Sequence, residues 1–200
     1  MKTFETMPPT NARAAVRLGL LRFPPNGTGF PGRKGRPPKP YVVDARGAGA
    51  LPGLRRLIVD ALKHRISNFG GIEAVAGLAT SGMIWGALVA EACGLPYATI
   101  RLDGPRPSGL RREIEGEIRG LRTILVDNWI RSGESLVQAA LIARREEVDV
   151  AGTLVISGRI PEDFALPILT AFPLGDLERA AVAEGRLDPA LIQSNQHRIN

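Results

Sequence analysis

Segments typical of strands and segments typical of helices alternate along most of the chain, and this alternation is its strongest constraint on the fold. The strand-type runs lie at 40–46, 72–79, 96–102, 122–127 and 148–157, and apolar residues with helical spacing lie at 53–66, 81–94 and about 133–147. Strands that alternate with helices form a parallel sheet whose two faces are covered. The sequence therefore predicts an α/β fold with a central, mostly parallel sheet flanked by helices.

Three polar loops follow strands of this predicted sheet, where ligands of α/β proteins bind. They are ATSG at 79–82, the segment 103–112, and DNWIRSGES at 127–135. In the third loop, Asp127 could accept hydrogen bonds from sugar hydroxyls or face a metal shell. Ser132, Gly133 and Ser135 precede a helix whose N–H groups and dipole favour an anion. A simpler interpretation is that Ser132 only caps the helix.

The composition fits one core with a small appendage, since 44% of the 200 residues are hydrophobic. The single cysteine, Cys93, excludes an internal disulfide, and two histidines give little support to a zinc site. The sequence contains no apolar run of transmembrane length, and MKTFETMPPT has no signal-type apolar core. We therefore expect no membrane insertion and a reducing, cytoplasmic location.

The positive charge is concentrated at the N-terminus. Residues 1–40 contain eight Lys or Arg against one Glu, a net charge of +7, so residues 41–200 carry −1 of the overall +6. The stretch RFPPNGTGFPGRKGRPPKP favours an extended loop. It could attract nucleic acid or a phosphorylated ligand, or be a solvated loop or an arm on a second subunit; few aromatics argue against nucleic acid. The predicted division is a basic segment at 1–40 and an α/β domain at 41–200.

The segment TILVDNWIRSGES has an apolar run before an acidic position and a small polar loop, and it resembles the phosphoribosyl diphosphate (PRPP) motif of type I phosphoribosyltransferases, in which four apolar residues precede two acids. The surrounding segments resemble the orotate phosphoribosyltransferases over roughly residues 12–192. Among them, IEAVAGLATSGMIWGALVAEACGLPYATIR is similar to that family's diphosphate-loop unit, and REIEG to the return of its mobile loop. The resemblance implies the type I phosphoribosyltransferase fold, with a small hood from the N- and C-terminal segments.

The resemblance also implies site residues, grouped by the part of the ligand that each would hold. For PRPP these are Asp127 and Asn128 at the ribose hydroxyls, Arg131, Ser132, Gly133, Glu134 and Ser135 at the 5′-phosphate, Ala79, Thr80, Ser81 and Gly82 at the diphosphate, and Arg101 beside it. The catalytic candidates are Asp127, Arg106 and Arg111, and the base-binding candidates are Tyr41, Val42 and Arg159, with Lys34 or Lys39 as a lysine near the base. Mg²⁺ would be held mainly through PRPP, without a metal site made by the protein.

Several residues depart from the orotate-enzyme pattern. The loop LDGPRPSGLRRE lacks the usual lysine and histidine, Asn128 replaces a carboxylate, and Glu134 places one beside a phosphate position. Trp129 could anchor the core or form a wall of the base pocket.

Two functions are therefore expected as alternatives: PRPP-dependent phosphoribosyl transfer to a nitrogenous base, or PRPP or nucleotide binding by a weakly active or inactive regulatory homologue. A nucleic-acid-binding module that uses the basic arm is a third. The resemblance implies a homodimer with shared sites, and a heteromer could supply the missing lysine.

Overall fold

The computed structural model describes residues 9–25, 27, 29–32 and 37–196, so the predictions for Lys34 and the basic cluster at 33–36 lie outside the described residues. Two compact units are present: one joins the chain up to Leu57 with the chain from Phe172, and the other comprises Ile58–Ala171. The helices are α1 (Pro9–Arg17), α2 (Pro52–Ile66), α3 (Met83–Cys93), α4 (Glu134–Arg145), α5 (Leu174–Ala183) and α6 (Pro189–Gln196). The strands are β1 (Leu21–Arg22), β2 (Val42–Val43), β3 (Ala74–Leu78), β4 (Tyr97–Ile100), β5 (Ile114–Glu115), β6 (Arg122–Ile130), β7 (Asp149–Gly158) and β8 (Ile168–Thr170).

The larger unit contains a six-stranded sheet in the order β5-β4-β3-β6-β7-β8. Neighbouring strands run parallel except at one edge, where β5 pairs antiparallel with β4. Every residue of β3 is buried, as are most residues of β6 and β7, because the sheet is covered on both faces. The predicted α/β fold with a mostly parallel central sheet is confirmed.

Helices α3 and α4 cover opposite faces of this sheet. A Cβ built on Gly86 of α3 would lie 2.9 Å from the Cα of Gly77, so the helix backbone approaches β3 closely on that face. Ala76 and Leu78 point to the other face and share a buried cluster with Leu136 and Ala139 of α4. The two crossover helices therefore pack against β3 from opposite faces.

The smaller unit joins both ends of the chain, as expected for the N- and C-terminal segments of this fold. Helix α1 packs against α5, and Arg17 makes two hydrogen bonds to Glu184. The predicted strand at 40–46 is only two residues long and pairs antiparallel with β1 instead of joining the central sheet. Helix α1 was not expected within the basic segment, and the proposed division at residue 40 stays a prediction. None of the described helices is long and apolar enough to span a membrane.

Candidate functional site

The candidate ribose residues lie within β6 at the point where its pairing becomes one-sided. The sequence predicts that this strand ends at Asp127. It continues instead to Ile130, because β7 pairs with it as far as Ile130↔Gly158. Its pairing with β3 stops at Val126. Asp127 is therefore the first residue of β6 after its pairing with β3 stops, and this residue is 7% exposed.

The order of the strands explains why ligand loops meet here. After β3 the chain proceeds through α3 to β4 on one side, and β6 occupies the other side of β3. Such a reversal of direction opens a crevice at the carboxyl ends of the two central strands. The loop after β3 (residues 79–82) and the end of β6 meet at this crevice.

A hydrogen bond joins the predicted diphosphate loop to the predicted ribose site. Ser81 Oγ donates to Asp127 Oδ1 at 2.9 Å, and the same oxygen accepts the backbone N–H of Asn128 at 2.7 Å. Asn128 is 9% exposed, so the pair is nearly buried. The carboxylate is thus oriented by the diphosphate loop before any ligand binds.

The diphosphate loop requires glycine at its last position. A Cβ on Gly82 would lie 2.2 Å from the carbonyl oxygen of Val126 and 2.7 Å from the backbone nitrogen of Leu78. The N–H groups of Ala79 and Gly82 are bonded to Ile100 O and Leu78 O, whereas those of Thr80 and Ser81 have no acceptor among the described residues. The Ala79–Thr80 peptide bond is cis. The loop therefore presents two backbone donors on a tightly held turn.

Tyr97 fastens the start of α3 to β4. Its hydroxyl donates to Met83 O at 3.0 Å and lies 3.0 Å from Thr99 Oγ1. Burial raises the pKa of the Tyr97 phenol, and the contact with Thr99 opposes that shift in part. This anchor holds the helix that follows the diphosphate loop.

The predicted 5′-phosphate loop (131–135) leads into α4, and its serines do not cap the helix. The N-cap is Gly133, with φ of 78°, and no side-chain hydrogen bond caps the helix start. The interpretation of Ser132 as a structural cap is therefore wrong. Ser132 and Ser135 are exposed, so their hydroxyls face solvent with the free N–H groups of the first turn. Arg131 and Glu134 are exposed as well.

Phe164 restricts this loop from the side of β7. A Cβ on Gly133 would lie 2.4 Å from the Phe164 ring. The segment after β7 is tied to the same place, because the backbone N–H of Arg159 donates to Ile130 O at 3.0 Å. Both contacts hold the loop in the shape that exposes the helix start. No local pattern in the sequence points to Phe164, because the two residues in contact lie more than thirty positions apart in the chain.

The segment 103–112 forms a loop whose two ends are joined. The backbone N–H of Arg101 donates to Glu113 O at 2.8 Å. Helix α4 holds both ends, since Gln138 Nε2 donates to Leu102 O at 2.9 Å and Arg145 donates to the Glu113 carboxylate. The predicted cations Arg106 and Arg111 lie in the loop and are exposed, and Arg111 has a positive φ of 51°.

The base-binding candidates are divided between the two units. In the smaller unit, Tyr41 is 8% exposed and donates its hydroxyl to the buried carboxylate of Glu178, and Val42 is half-buried in β2. Lys39 is exposed. In the larger unit, Arg159 is half-buried directly after β7. Tyr41, Val42 and Lys39 thus lie in the smaller unit, and Arg159 lies in the larger unit.

Trp129 is partly buried beside β7, so the choice between core anchor and pocket wall stays open. Among the described residues, no group of three or more His, Cys, Asp or Glu side chains could hold a metal ion.

The mostly parallel sheet, the polar loops at 79–82 and 131–135 and the buried Asp127 fit the type I phosphoribosyltransferase class, and comparison with known proteins supports this assignment. No family model matches the chain. The orotate phosphoribosyltransferase of Streptococcus pneumoniae serotype 2 (strain D39 / NCTC 7466) is 33% identical over 159 residues, which cover 75% of this chain and 75% of the relative. The chain belongs to the orotate phosphoribosyltransferase family.

Solved structures share the fold. Leishmania donovani UMP synthase matches with a TM-score of 0.74 at 18% identity, over 95% of this chain and 42% of that longer chain. Orotate phosphoribosyltransferase from Mycobacterium tuberculosis H37Rv in complex with PRPP matches with a TM-score of 0.64 at 21% identity, over 84% of this chain and 97% of that chain. The prediction of a phosphoribosyltransferase-like fold is confirmed.

Proposed function

We propose that this phosphoribosyltransferase transfers the ribose 5-phosphate group of PRPP to a ring nitrogen of orotate and releases diphosphate. The hydrogen bond from Ser81 to Asp127 carries the proposal, because it joins a loop suited to diphosphate to an acid suited to ribose hydroxyls. A sugar phosphate that carries a second anionic group could bind to both the loop and the acid. Family membership supports the same substrates.

Binding of the ribose 5-phosphate would use β6 and the start of α4. Asp127 would accept hydrogen bonds from the ribose hydroxyls, with Asn128 supplying an amide oxygen. The 5-phosphate would lie against the loop at 131–135, whose uncapped N–H groups and helix dipole favour an anion. Glu134 is exposed, which limits its repulsion of the phosphate.

The transfer itself makes one bond to carbon and breaks one. The ring nitrogen gives up its proton to solvent and supplies an electron pair to C1 of the ribose, while the bond from C1 to oxygen breaks and its electrons leave with the diphosphate. The N–H groups of Thr80 and Ser81, with Arg101, Arg106 and Arg111, would stabilise the charge on the departing group. Since an arginine holds its proton throughout, these residues would act as fixed cations, without transferring protons.

The residues present are compatible with Mg²⁺ bound through the substrate. Hard oxygen ligands suit this ion, and Asp127 and Asn128 offer oxygens beside the proposed ribose site. When bound, the ion would neutralise part of the diphosphate charge. The protein's contribution is to orient the ribose hydroxyls that, with the diphosphate, would hold the ion.

A thermal-shift titration with PRPP and Mg²⁺, followed by a diphosphate-release assay over a panel of bases, tests the proposal. We expect the ligand to raise Tm, because it binds the folded state, and orotate to release diphosphate. No shift at millimolar PRPP would refute the proposed site. If the protein binds PRPP but releases diphosphate with none of the bases, the result favours the alternative of a PRPP-binding regulatory protein. Asn128 and the absence of lysine and histidine from the loop fit that alternative.

The matched variants are Ser132→Glu and Leu141→Glu, which add the same charge to the phosphate loop and to an exposed face of α4. We expect Ser132→Glu to abolish PRPP binding by repulsion and Leu141→Glu, at a position 59% exposed, to leave it unchanged. Equal affinity of the two variants would contradict the phosphate-loop assignment.

We also propose that the protein acts in the cytoplasm as a homodimer in which the 103–112 loop of one subunit completes the site of the other. The basis is membership of the orotate phosphoribosyltransferase family and the loop cations described above. A heteromer that supplies a lysine is the alternative. Base recognition by Tyr41, Val42 and Arg159 stays a prediction, with the base panel as its test.

A further inference from the structure

We propose that Glu115 is a positioning residue that occupies Arg101 and Arg106 in the ligand-free protein and gives them up to diphosphate. This inference rests on the proposed function, since it concerns how the cations beside the diphosphate loop become available. Glu115 lies on the edge strand β5, within the REIEG segment, and is not among the site residues predicted from the sequence.

One carboxylate bridges two cations at different points of the loop. Glu115 Oε1 lies 3.9 Å from Arg101 NH1 and 3.4 Å from Arg106 Nε. Arg101 lies directly after β4 and Arg106 lies within the loop, so the contact draws the loop toward the sheet edge. The register places Glu115 opposite Thr99, which fixes the carboxylate beside the end of β4.

Two of the three guanidinium nitrogens of Arg101 donate hydrogen bonds, and the third lies in an ion pair with Glu115. Its Nε donates to Gly104 O at 3.2 Å, NH2 contacts both oxygens of Asp103 at 3.1 and 3.0 Å, and NH1 lies near Glu115. Its side chain is 20% exposed. An anion that binds Nε or NH2 must therefore replace the Gly104 carbonyl or the Asp103 carboxylate, and one that binds NH1 competes with Glu115.

The charges determine which ligands can make that replacement. Glu115 is 44% exposed and Arg106 is 62% exposed, so their ion pair is weak and screened by salt. In the proposed homodimer, each diphosphate would meet Arg101 of its own subunit and Arg106 of the partner subunit, and its several charged oxygens can displace the single Glu115 carboxylate from each guanidinium. A monophosphate offers fewer contacts. Because of Glu115, a ligand would need a high negative charge to bind Arg101 and Arg106.

Diphosphate binding to the full-length protein tests the role of Glu115, with Glu115→Gln compared against Glu117→Gln. Glu117→Gln is a matched control, because it removes the same charge from a position only two residues away. Glu117 pairs with Arg112, at 2.6 Å, and not with Arg101 or Arg106. We expect Glu115→Gln to bind diphosphate about threefold to tenfold more tightly than the wild type, since two weak ion pairs no longer compete. The gain should shrink as salt is added, whereas Glu117→Gln should show little gain.

A double-variant cycle separates competition from a merely structural effect. In an Arg106→Gln background, Glu115→Gln should lose most of its gain, because the principal competing pair is already absent. If Glu115→Gln binds diphosphate no better than Glu117→Gln, or if its gain is unchanged without Arg106, the proposal is overturned. Failure of the proposed function has a different signature, in which neither the wild type nor any variant binds diphosphate or PRPP.

Discussion

At the scale of single residues, the site depends on Asp127 being held before the ligand arrives. Ser81 and the backbone N–H of Asn128 both donate to one of its oxygens. A carboxylate that already has its donors in place loses little side-chain freedom on binding. The neighbouring Asn128 provides hydrogen bonds without charge, so it is the natural position at which to change the strength of the ribose site.

Asn128→Asp should change stability and affinity in opposite directions. The new carboxylate is nearly buried beside Asp127, so like-charge repulsion should lower the Tm of the ligand-free protein. Binding of PRPP with Mg²⁺ should tighten by about 1 kcal/mol, or about fivefold, because the ribose hydroxyls gain a charged acceptor. Thermal shift with and without ligand measures both effects. Asn128→Ala is the control and should lose stability without the gain; a tightening in that variant would contradict the ribose assignment.

Gly82→Ala should destabilise the protein through a steric clash. The added methyl group would meet backbone atoms of Val126 and Leu78, which cannot move without disturbing β3 and β6. We expect a loss of about 2–3 kcal/mol in the free energy of unfolding, measured by urea denaturation. The control is Gly53→Ala in α2, where the nearest neighbour is a Leu18 methyl group at 3.7 Å. It should be neutral or stabilising by less than about 1 kcal/mol; similar losses in both variants would show that the close approach at Gly82 is not limiting.

At the scale of secondary-structure elements, α3 is attached to the sheet by glycine contacts on its inner face and by Tyr97 at its first turn. Helix α4 would combine two tasks, because the proposed phosphate loop lies at its N-terminus while Gln138 and Arg145 hold the ends of the 103–112 loop. Movement of α4 would therefore affect the proposed 5-phosphate site and the loop cations together.

Tyr97→Phe should reduce stability and remove part of its alkaline dependence. The raised pKa of Tyr97 means that its contribution is fully present below the ordinary phenol value of 10.0 and is lost as pH rises through the folded-state value. The lost hydrogen bond should cost about 1 kcal/mol at neutral pH. Urea denaturation at about pH 8 and about pH 10.5 should show the gap between wild type and variant narrowing at the higher pH. A constant gap would mean that the phenol does not ionise differently in the two states.

The main elements followed from residue spacing, and the exceptions follow from tertiary contacts. Strands buried on both faces, such as β3 and β7, differ in apolar pattern from helices α3 and α4, so their positions were predicted to within a few residues. Strand β5 is two residues long and exists because the loop returns to the edge of β4, which local sequence does not encode.

The site was predictable only in part, for a similar reason. The positions of Asp127, Ser132 and Gly133 follow from a motif of contiguous residues, and the structure places them at the crevice. The continuation of β6 to Ile130 depends on its pairing with β7, and the contact of Glu115 with two arginines depends on how the loop closes. Contacts between distant segments of the chain carry no local pattern.

At the scale of the whole molecule, the proposed homodimer makes a prediction that no single chain can meet. A loop variant, Arg106→Ala with Arg111→Ala, and a ribose-site variant, Asp127→Ala, should each have little activity alone. If subunits share sites, coexpression should restore about a quarter of wild-type activity, because about half of the dimers are mixed and each has one intact site. Light scattering should give the mass of a dimer. No recovery in mixed dimers would show that each loop serves its own subunit.

The one-sided pairing of β6 beyond Val126 makes a single amide proton a reporter of the site. The N–H of Asn128 is retained by the carboxylate of Asp127 instead of by β3. Its exchange with deuterated solvent therefore requires only a local rotation of that carboxylate, without separation of the strands. A ribose bound to Asp127 would slow this exchange while leaving the β3-paired amides unchanged, so NMR could follow occupancy at one residue without a label on the substrate.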